Sequence, residues 1–454
     1  MVKRSILLGG VYDSAFFNIS IEIDKPLIDI NCLDEQSFGL FIHEYIHFIQ
    51  DITTIHGLTN IHIIIEYLKQ ALNSIYQQTH RKIKLPILPN LHASDLVYFN
   101  YKIKKITAGD QWPFENVNEI SRYEIKTEDI PQCPIPQIEC VQIFFNDEWG
   151  GSQSYQFGAD CIYESMAYII EKNLSFSCNE SPDLPYNSAR LLTQYIYPEF
   201  ADDEFNILAL CDISLNSSNP GLTFVRLLEL WKSEMYLPDY PSELFYRYNT
   251  MPIIKTIAHK NKIQKYQTYP LIDMFDIVKI VKEQLYSYFR YDLDSVTPEW
   301  KQICDNLHNW IDAIFESCLK WRIGNPSFMI QIAEIPDRLY NARLIQLFNT
   351  FGVPLCINKN GEGFFYHPQI IDSNFPIDFF AAMGQIYRLL IGAPEGKNCS
   401  LYNRCLKNPH VVTNQLCKTA PWKKCDELKS CPFSVMWHHC NLKKYSITLP
   451  TPLT

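Results

Sequence analysis

Residues 43–47 read His43-Glu44-Tyr45-Ile46-His47. Two histidines four apart stand one turn from each other on the same face of a helix, so both imidazoles can reach one ion at about 2.0–2.1 Å. Glu44 is offset from that line by one residue. A carboxylate there can approach water at the ion without being a ligand, take its proton and pass it to a leaving group. The competing reading is an amphipathic helix whose polar face happens to carry two histidines.

The chemistry requires a helix, and the flanking residues predict one. Phe38, Phe41, Ile42, Tyr45, Phe48, Ile49 and Ile52 follow the i, i+3, i+4, i+7 pattern of a buried stripe over 34–54, with Asp34 or Ser37 as the N-cap. Upstream, SILLGGVY, FNISIEID and PLIDIN predict short strands; downstream, Gly57 punctuates and 60–78 predicts a second helix. Residues 80–136 are mixed and rich in breaks, as an insertion would be. CVQIFFND (140–147) predicts a strand, EWGGSQSYQFG a Gly-rich turn, and 159–173 a helix. Helical patterns dominate from about 185 to 350; 354–368 predicts a hairpin turning at Asn360-Gly361, and 376–391 a helix.

On the HExxH string and its setting the chain resembles the zincin metallopeptidase superfamily, and more loosely its Glu-zincin branch, over residues 10–60 and 138–175. The resemblance implies that His43 and His47 hold zinc with a later glutamate, and that Glu44 is the general base. A third histidine six residues after His47 would mark a different branch, but Thr53 stands there. Glu164, in Tyr163-Glu164-Ser165-Met166-Ala167, resembles the ligand helix of that branch, where small residues permit close approach. Glu66, 19 residues after His47, is the alternative, and Glu171 is a further one. Asp51 resembles an acid that orients the imidazoles, with Gln50 as another candidate. Tyr155, Tyr163 and Tyr168 lie in segments suited to an oxyanion donor. The strand at 140–147 and the turn Glu148-Trp149-Gly150-Gly151 either line a substrate cleft or form ordinary core.

The tail carries Cys399, Cys405, Cys417, Cys425, Cys431 and Cys440 within 42 residues. Four thiolates can close a structural zinc site, and Cys431-Pro432 echoes an iron–sulfur ligand ending. The spacings of 6, 12, 8, 6 and 9 contain no C-x-x-C pair, so a zinc ribbon is not indicated. A second structural zinc or an Fe–S unit is one expectation, with Cys417, Cys425 and Cys431 as members; buried thiols in a small cap are the other.

The chain has 454 residues, a net charge of -10 and 47% hydrophobic residues, with no basic run of the kind a nucleic-acid surface needs. No apolar span reaches the length of a membrane helix, and the N-terminal apolar run is too short for a secretory signal. With 15 cysteines, this leads us to expect a reducing, cytoplasmic setting. The expected fold is α+β and helix-dominated: a zincin-like core at 1–180 with an insertion at about 80–136, a helical domain at 181–392, and a Cys-rich cap at 393–454. The expected function is an intracellular zinc metallopeptidase acting on a protein or peptide, without nucleic acid or membrane as partner. The alternatives are a zinc hydrolase of a non-protein amide and an inactive zincin-derived binding protein.

Overall fold

A computed structural model describes residues 9–448 apart from 26, 28–29, 31–32, 88–95, 118, 132, 134, 147–150, 176–180, 260–261, 291–296, 337–340, 371–374, 393–397, 409 and 427–430. The expected strand at 26–31 and the Glu148-Trp149-Gly150 turn lie largely outside these residues. Among the described residues helices dominate, with four small sheets between them.

Strands β1 (Gly10–Asp13) and β2 (Asn18–Ile21) form a tight antiparallel hairpin. Helix α1 (Glu35–Thr53) follows, and α2 (Ile55–Tyr76) comes directly after it. Strand β3 (Lys82–Lys84) and helix α3 (Leu96–Ala108) lead to a three-stranded antiparallel sheet of β4 (Ile120–Asp129), β5 (Gln137–Asn146) and β6 (Ser152–Phe157). Helix α4 (Ala159–Leu174) leaves that sheet. Further helices, including 204–215 and 298–324, are interrupted by the hairpin β7 (Ile253–His259) and β8 (Lys262–Thr268). Strands β9 (Val353–Asn358) and β10 (Gly363–Tyr366) then return to the N-terminal hairpin, and β11 (Ser446–Thr448) pairs in parallel with β3.

Among the described residues the first sheet has the order β1-β2-β9-β10, with β9 parallel to β2 and β1 at an edge. The N-terminal hairpin is therefore completed by residues more than 330 positions away, Asn18 opposite Leu355 and Ile21 opposite Asn358. Most apolar residues of the described elements join one core, including Phe17, Phe48, Trp310 and Phe380, with a small second cluster of Phe99, Ile130 and Cys133.

Three expectations change. The 152–157 segment is a strand rather than a turn, because its alternating residues pair with β5 from Val141 opposite Phe157 to Asn146 opposite Ser152. Segment 80–136 contains regular elements, α3 and β4 among them. Gly57 lies inside α2 and does not precede it. Thr54 alone separates the two helices: extended at φ −122° and ψ 152°, it closes α1, and its side chain accepts from the Gly57 amide at 3.1 Å to open α2. A Cβ on Gly57 would sit 2.3 Å from Asp51 Cα, so only glycine lets the chain double back this closely.

Helix α1 begins where Asp34 accepts from the Ser37 amide at 2.8 Å. It is buried on every side, packed against α2, α4, β1 and helix 298–324. Arg322 anchors its C-terminal end. The guanidinium donates to Thr53 O at 2.6 Å and forms a two-pronged pair with Asp212, both contacts 2.7 Å. Both side chains are buried. Arg322→Met should lower unfolding stability by about 3–5 kcal/mol, because it leaves the Asp212 charge buried without its partner. Urea denaturation measures this; an unchanged midpoint would show that the pair does not hold α1.

Candidate metal centre

Helices α1 and α4 run antiparallel. Ser175 Oγ donates to Glu35 O at 3.0 Å at one end, and Gln50 Nε2 donates to Tyr163 O at 3.1 Å at the other. Gly39 permits the close approach: a Cβ there would lie 3.1 Å from Glu171 Oε1 and 3.2 Å from Ser175 Oγ. This alignment puts the middle of α4 against the two α1 histidines.

His43 Nε2 stands 3.0 Å from Glu164 Oε2, and His47 Nε2 stands 3.6 Å from Glu164 Oε1. The two rings are 4.8 Å apart between centroids and nearly perpendicular. One donor atom from each of His43, His47 and Glu164 falls within 4.8 Å of the others, and this is the one such group among the described residues. His43 and His47 are only 1% and 0% exposed, so they do not lie on a solvated helix face.

The far ring nitrogens are held as well. His43 Nδ1 lies 2.9 Å from Glu171 Oε2, and His47 Nδ1 lies 2.8 Å from Gln50 Oε1. The Nδ1 contacts to these oxygens fix each ring and turn its Nε2 toward the shared point. His47 Nε2 has no hydrogen-bond partner despite its burial, as expected of a lone pair aimed at a cation. Burial by itself would lower the His43 pKa, but the Glu164 and Glu171 carboxylates raise it well above the usual imidazole value. Burial would likewise raise Glu164, and the His47 and His43 imidazoles bring it well below the usual carboxylate range.

Glu44 is outside the converging donor group, lies against β1, and interacts electrostatically with His47, His43 and Glu164. It is 1% exposed, and its Oε2 has no hydrogen-bond partner. The Tyr12 backbone hydrogen-bonds the carboxylate, and Gly10 lies so close that a Cβ there would sit 2.6 Å from Glu44 Oε1. Burial pushes the Glu44 carboxyl up to about 7, although the His47 and His43 imidazoles pull it down. Beyond β1 opens a cleft of about 480 Å³, bordered by Gly10, Tyr12, Asp13, His56, Asp160 and Arg388 among others.

Other expected residues lie elsewhere. Glu66 is on α2, its carboxylate 3.1 Å from Lys69 Nζ and its side chain 25% exposed; it is outside the converging group. Asp51 is buried and accepts from the Tyr163 hydroxyl at 3.1 Å, while Gln50 and Glu171 make the contacts to the imidazoles. Tyr155 donates to Asp110 O at 2.8 Å, and Tyr163 donates to Asp51 at 3.1 Å. The Glu171 role has a sequence signal in hindsight: it lies seven residues after Glu164, on the same face of α4. In the tail, no three cysteine sulfurs among the described residues approach within 4.8 Å, and the six do not form one group. Cys425 Sγ contacts Pro421 O at 3.6 Å, and Cys440 Sγ packs on Met383 Sδ at 3.9 Å.

No described helix is long and apolar enough to cross a membrane. No protein family, curated protein or solved structure matches the chain.

The two competing glutamates separate by experiment. Glu164→Ala should weaken zinc affinity at least 10-fold, whereas Glu66→Ala should leave it unchanged. Competition with a chromogenic chelator measures both; metal loss in Glu66→Ala with retention in Glu164→Ala would contradict the geometry.

Proposed function

We propose that the chain is a zinc-dependent hydrolase of peptide bonds with a zincin-like centre. The observation that carries this reading is the buried convergence of His43, His47 and Glu164, with the unpartnered Oε2 of Glu44 one residue out of line. Two imidazoles and one carboxylate are the donor set of a catalytic zinc site, which keeps its fourth position open. His43, His47 and Glu164 would hold the ion. Bound there, zinc supplies Lewis acidity toward a carbonyl and toward water.

This chain's residues supply the rest. Glu171 and Gln50 keep both rings turned with Nε2 inward. Glu44, held against the Tyr12 backbone in a buried setting, accepts the proton of the attacking water and returns it to the departing nitrogen. A group poised near neutrality can do both. Strand β1, an edge strand whose Gly10 touches Glu44, supports a substrate laid along it from the adjoining cleft by main-chain pairing.

A second reading has its own support. All four residues are at most 4% exposed, which suits a protein that keeps a metal without turning over substrate. Glu44→Gln separates the two. The amide is nearly isosteric and still hydrogen-bonds, so zinc and fold should persist. It cannot accept the proton, so turnover should fall at least ~100-fold. Incubation with a peptide library, read by mass spectrometry for new N-termini, provides the assay. Zinc-loaded wild type without cleavage would favour the second reading, and equal cleavage by wild type and Glu44→Gln would reject Glu44 as the base.

A further inference from the structure

The cleft beside β1 comes to the edge of the metal centre and stops there. Residues Gly9 to Ser14 border it, as does Asp160, one turn before Glu164 on α4. His43, Glu44, His47 and Glu164 are not among the described residues that line it. Strand β1 borders the cleft and packs on Glu44, so it stands between the two. It runs along the face of α1 that carries residues 40, 44 and 48. A Cβ on Gly9 would lie 3.9 Å from Leu40 Cδ1, and one on Gly10 would lie 2.6 Å from Glu44 Oε1. The Tyr12 and Phe48 rings meet edge to face at 6.2 Å between centroids. Gly10 thus occupies the space beside the Glu44 carboxylate that a substrate needs.

The strand is nevertheless built to separate from its surroundings. It is four residues long and, among the described residues, pairs with β2 alone, from Gly10 opposite Ile21 to Asp13 opposite Asn18. One further main-chain bond, from the Glu22 amide to Gly9 O at 2.6 Å, extends that ladder. By contrast, β2 is clamped on its other side by β9. A short edge strand with a single neighbour belongs to the least stable, locally opening parts of a fold.

The turn that follows β1 is strained. Ala15 at φ +66° and Phe17 at φ +47° are non-glycine residues in the left-handed region, which persists only where packing imposes it and recurs at switch segments. Phe17 is wedged against Phe48, Trp310 and Phe380, so the turn is the fixed end of the strand. Close to that end sits a latch. Asp13, the last residue of β1, pairs with Arg388 of the helix Asp378–Ile391 at 2.5 Å, and Arg388 also reaches Ser400 Oγ at 3.2 Å. The two side chains are 11% and 19% exposed, so water can compete for the pair.

We propose that β1 is a lid over the metal centre, latched by Asp13 and Arg388. Closed, it shuts Glu44 and the three donors off from the cleft. Release of the latch lets it lift from β2 about the turn at Ala15, and a peptide paired to its free edge then passes from the cleft to Glu44. This inference rests on the metallopeptidase reading. It assigns the burial of the centre, at most 4% exposure for each of the four residues, to the closed form of a working site.

The test reads access to zinc and motion of the strand rather than turnover. Zinc-loaded full-length wild type, Arg388→Ala, Asp13→Arg, Arg388→Asp and the Asp13→Arg/Arg388→Asp double variant are mixed with excess chromogenic chelator, and zinc release is followed in time. Hydrogen exchange of the amides at 10–13 is measured on the same samples. Loss of a partly exposed pair should speed both release and exchange roughly 2- to 5-fold in each single variant at unchanged zinc affinity. The reversed pair should return both toward wild type. A lock supplies the larger effect: Asp13→Cys/Arg388→Cys bridged by a short bis-maleimide should release zinc at least ~10-fold more slowly than wild type treated alike. Unchanged release and exchange in the single variants and in the bridged protein would overturn the lid. If the chain takes up no zinc, the metallopeptidase reading fails and exchange alone judges the latch: faster exchange at 10–13 in Arg388→Ala supports it, and unchanged exchange overturns it.

Discussion

The constraint on which the rest depends is the antiparallel contact of α1 with α4 through buried ionisable side chains. His43, Glu44, His47, Glu164 and Glu171 are all at most 4% exposed. Removing such groups from water is costly unless charge meets charge with good geometry. Here each imidazole lies between two oxygen acceptors, Glu164 and Glu171 for His43, and Glu164 and Gln50 for His47. Apolar side chains would fill the same volume without that cost. Burial pushes the Glu44 carboxyl up and the Glu164 and Glu171 carboxylates raise His43, and a concentration of such groups is one mark of a functional centre.

Several features serve to keep this contact in register. Gly39 lets the helices approach, and Ser175 and Gln50 tie their two ends. The one-residue break at Thr54 and the Arg322–Asp212 pair hold the C-terminal end of α1. On its other side, β1 lies against Glu44 with no room for a side chain at Gly10. That strand is in place because β2 pairs with β9, so helix, edge strand and distant chain segment are mutually dependent.

Much of this was legible in the sequence. The apolar periodicity of 34–54 and 159–173 specified two helices, and four-residue spacing placed both imidazoles on one face. Glu164 was indicated over Glu66 by the small residues beside it, and the structure puts Glu164, not Glu66, among the donors. What was not legible depends on tertiary arrangement. Periodicity suggested one buried stripe on α1, yet the helix is covered on all sides, because the segments that cover its polar face come from far along the chain. The pairing of β9 with β2 leaves no local mark on either strand. Assigning Glu171 to His43 requires knowing that α1 and α4 are antiparallel, whereas Gln50, three residues from His47 on the same helix, was already a candidate; Asp51 accepts from Tyr163.

The account's central claim is that His43, His47 and Glu164 together hold one zinc ion. Anomalous diffraction at the zinc edge, on crystals of the full chain grown with zinc, tests it most directly. The predicted result is a peak about 2.0–2.2 Å from His43 Nε2, His47 Nε2 and a Glu164 oxygen, with Glu44 outside bonding distance. A zinc-saturated crystal with no peak between these three side chains, or with Glu44 coordinated in place of Glu164, would contradict it.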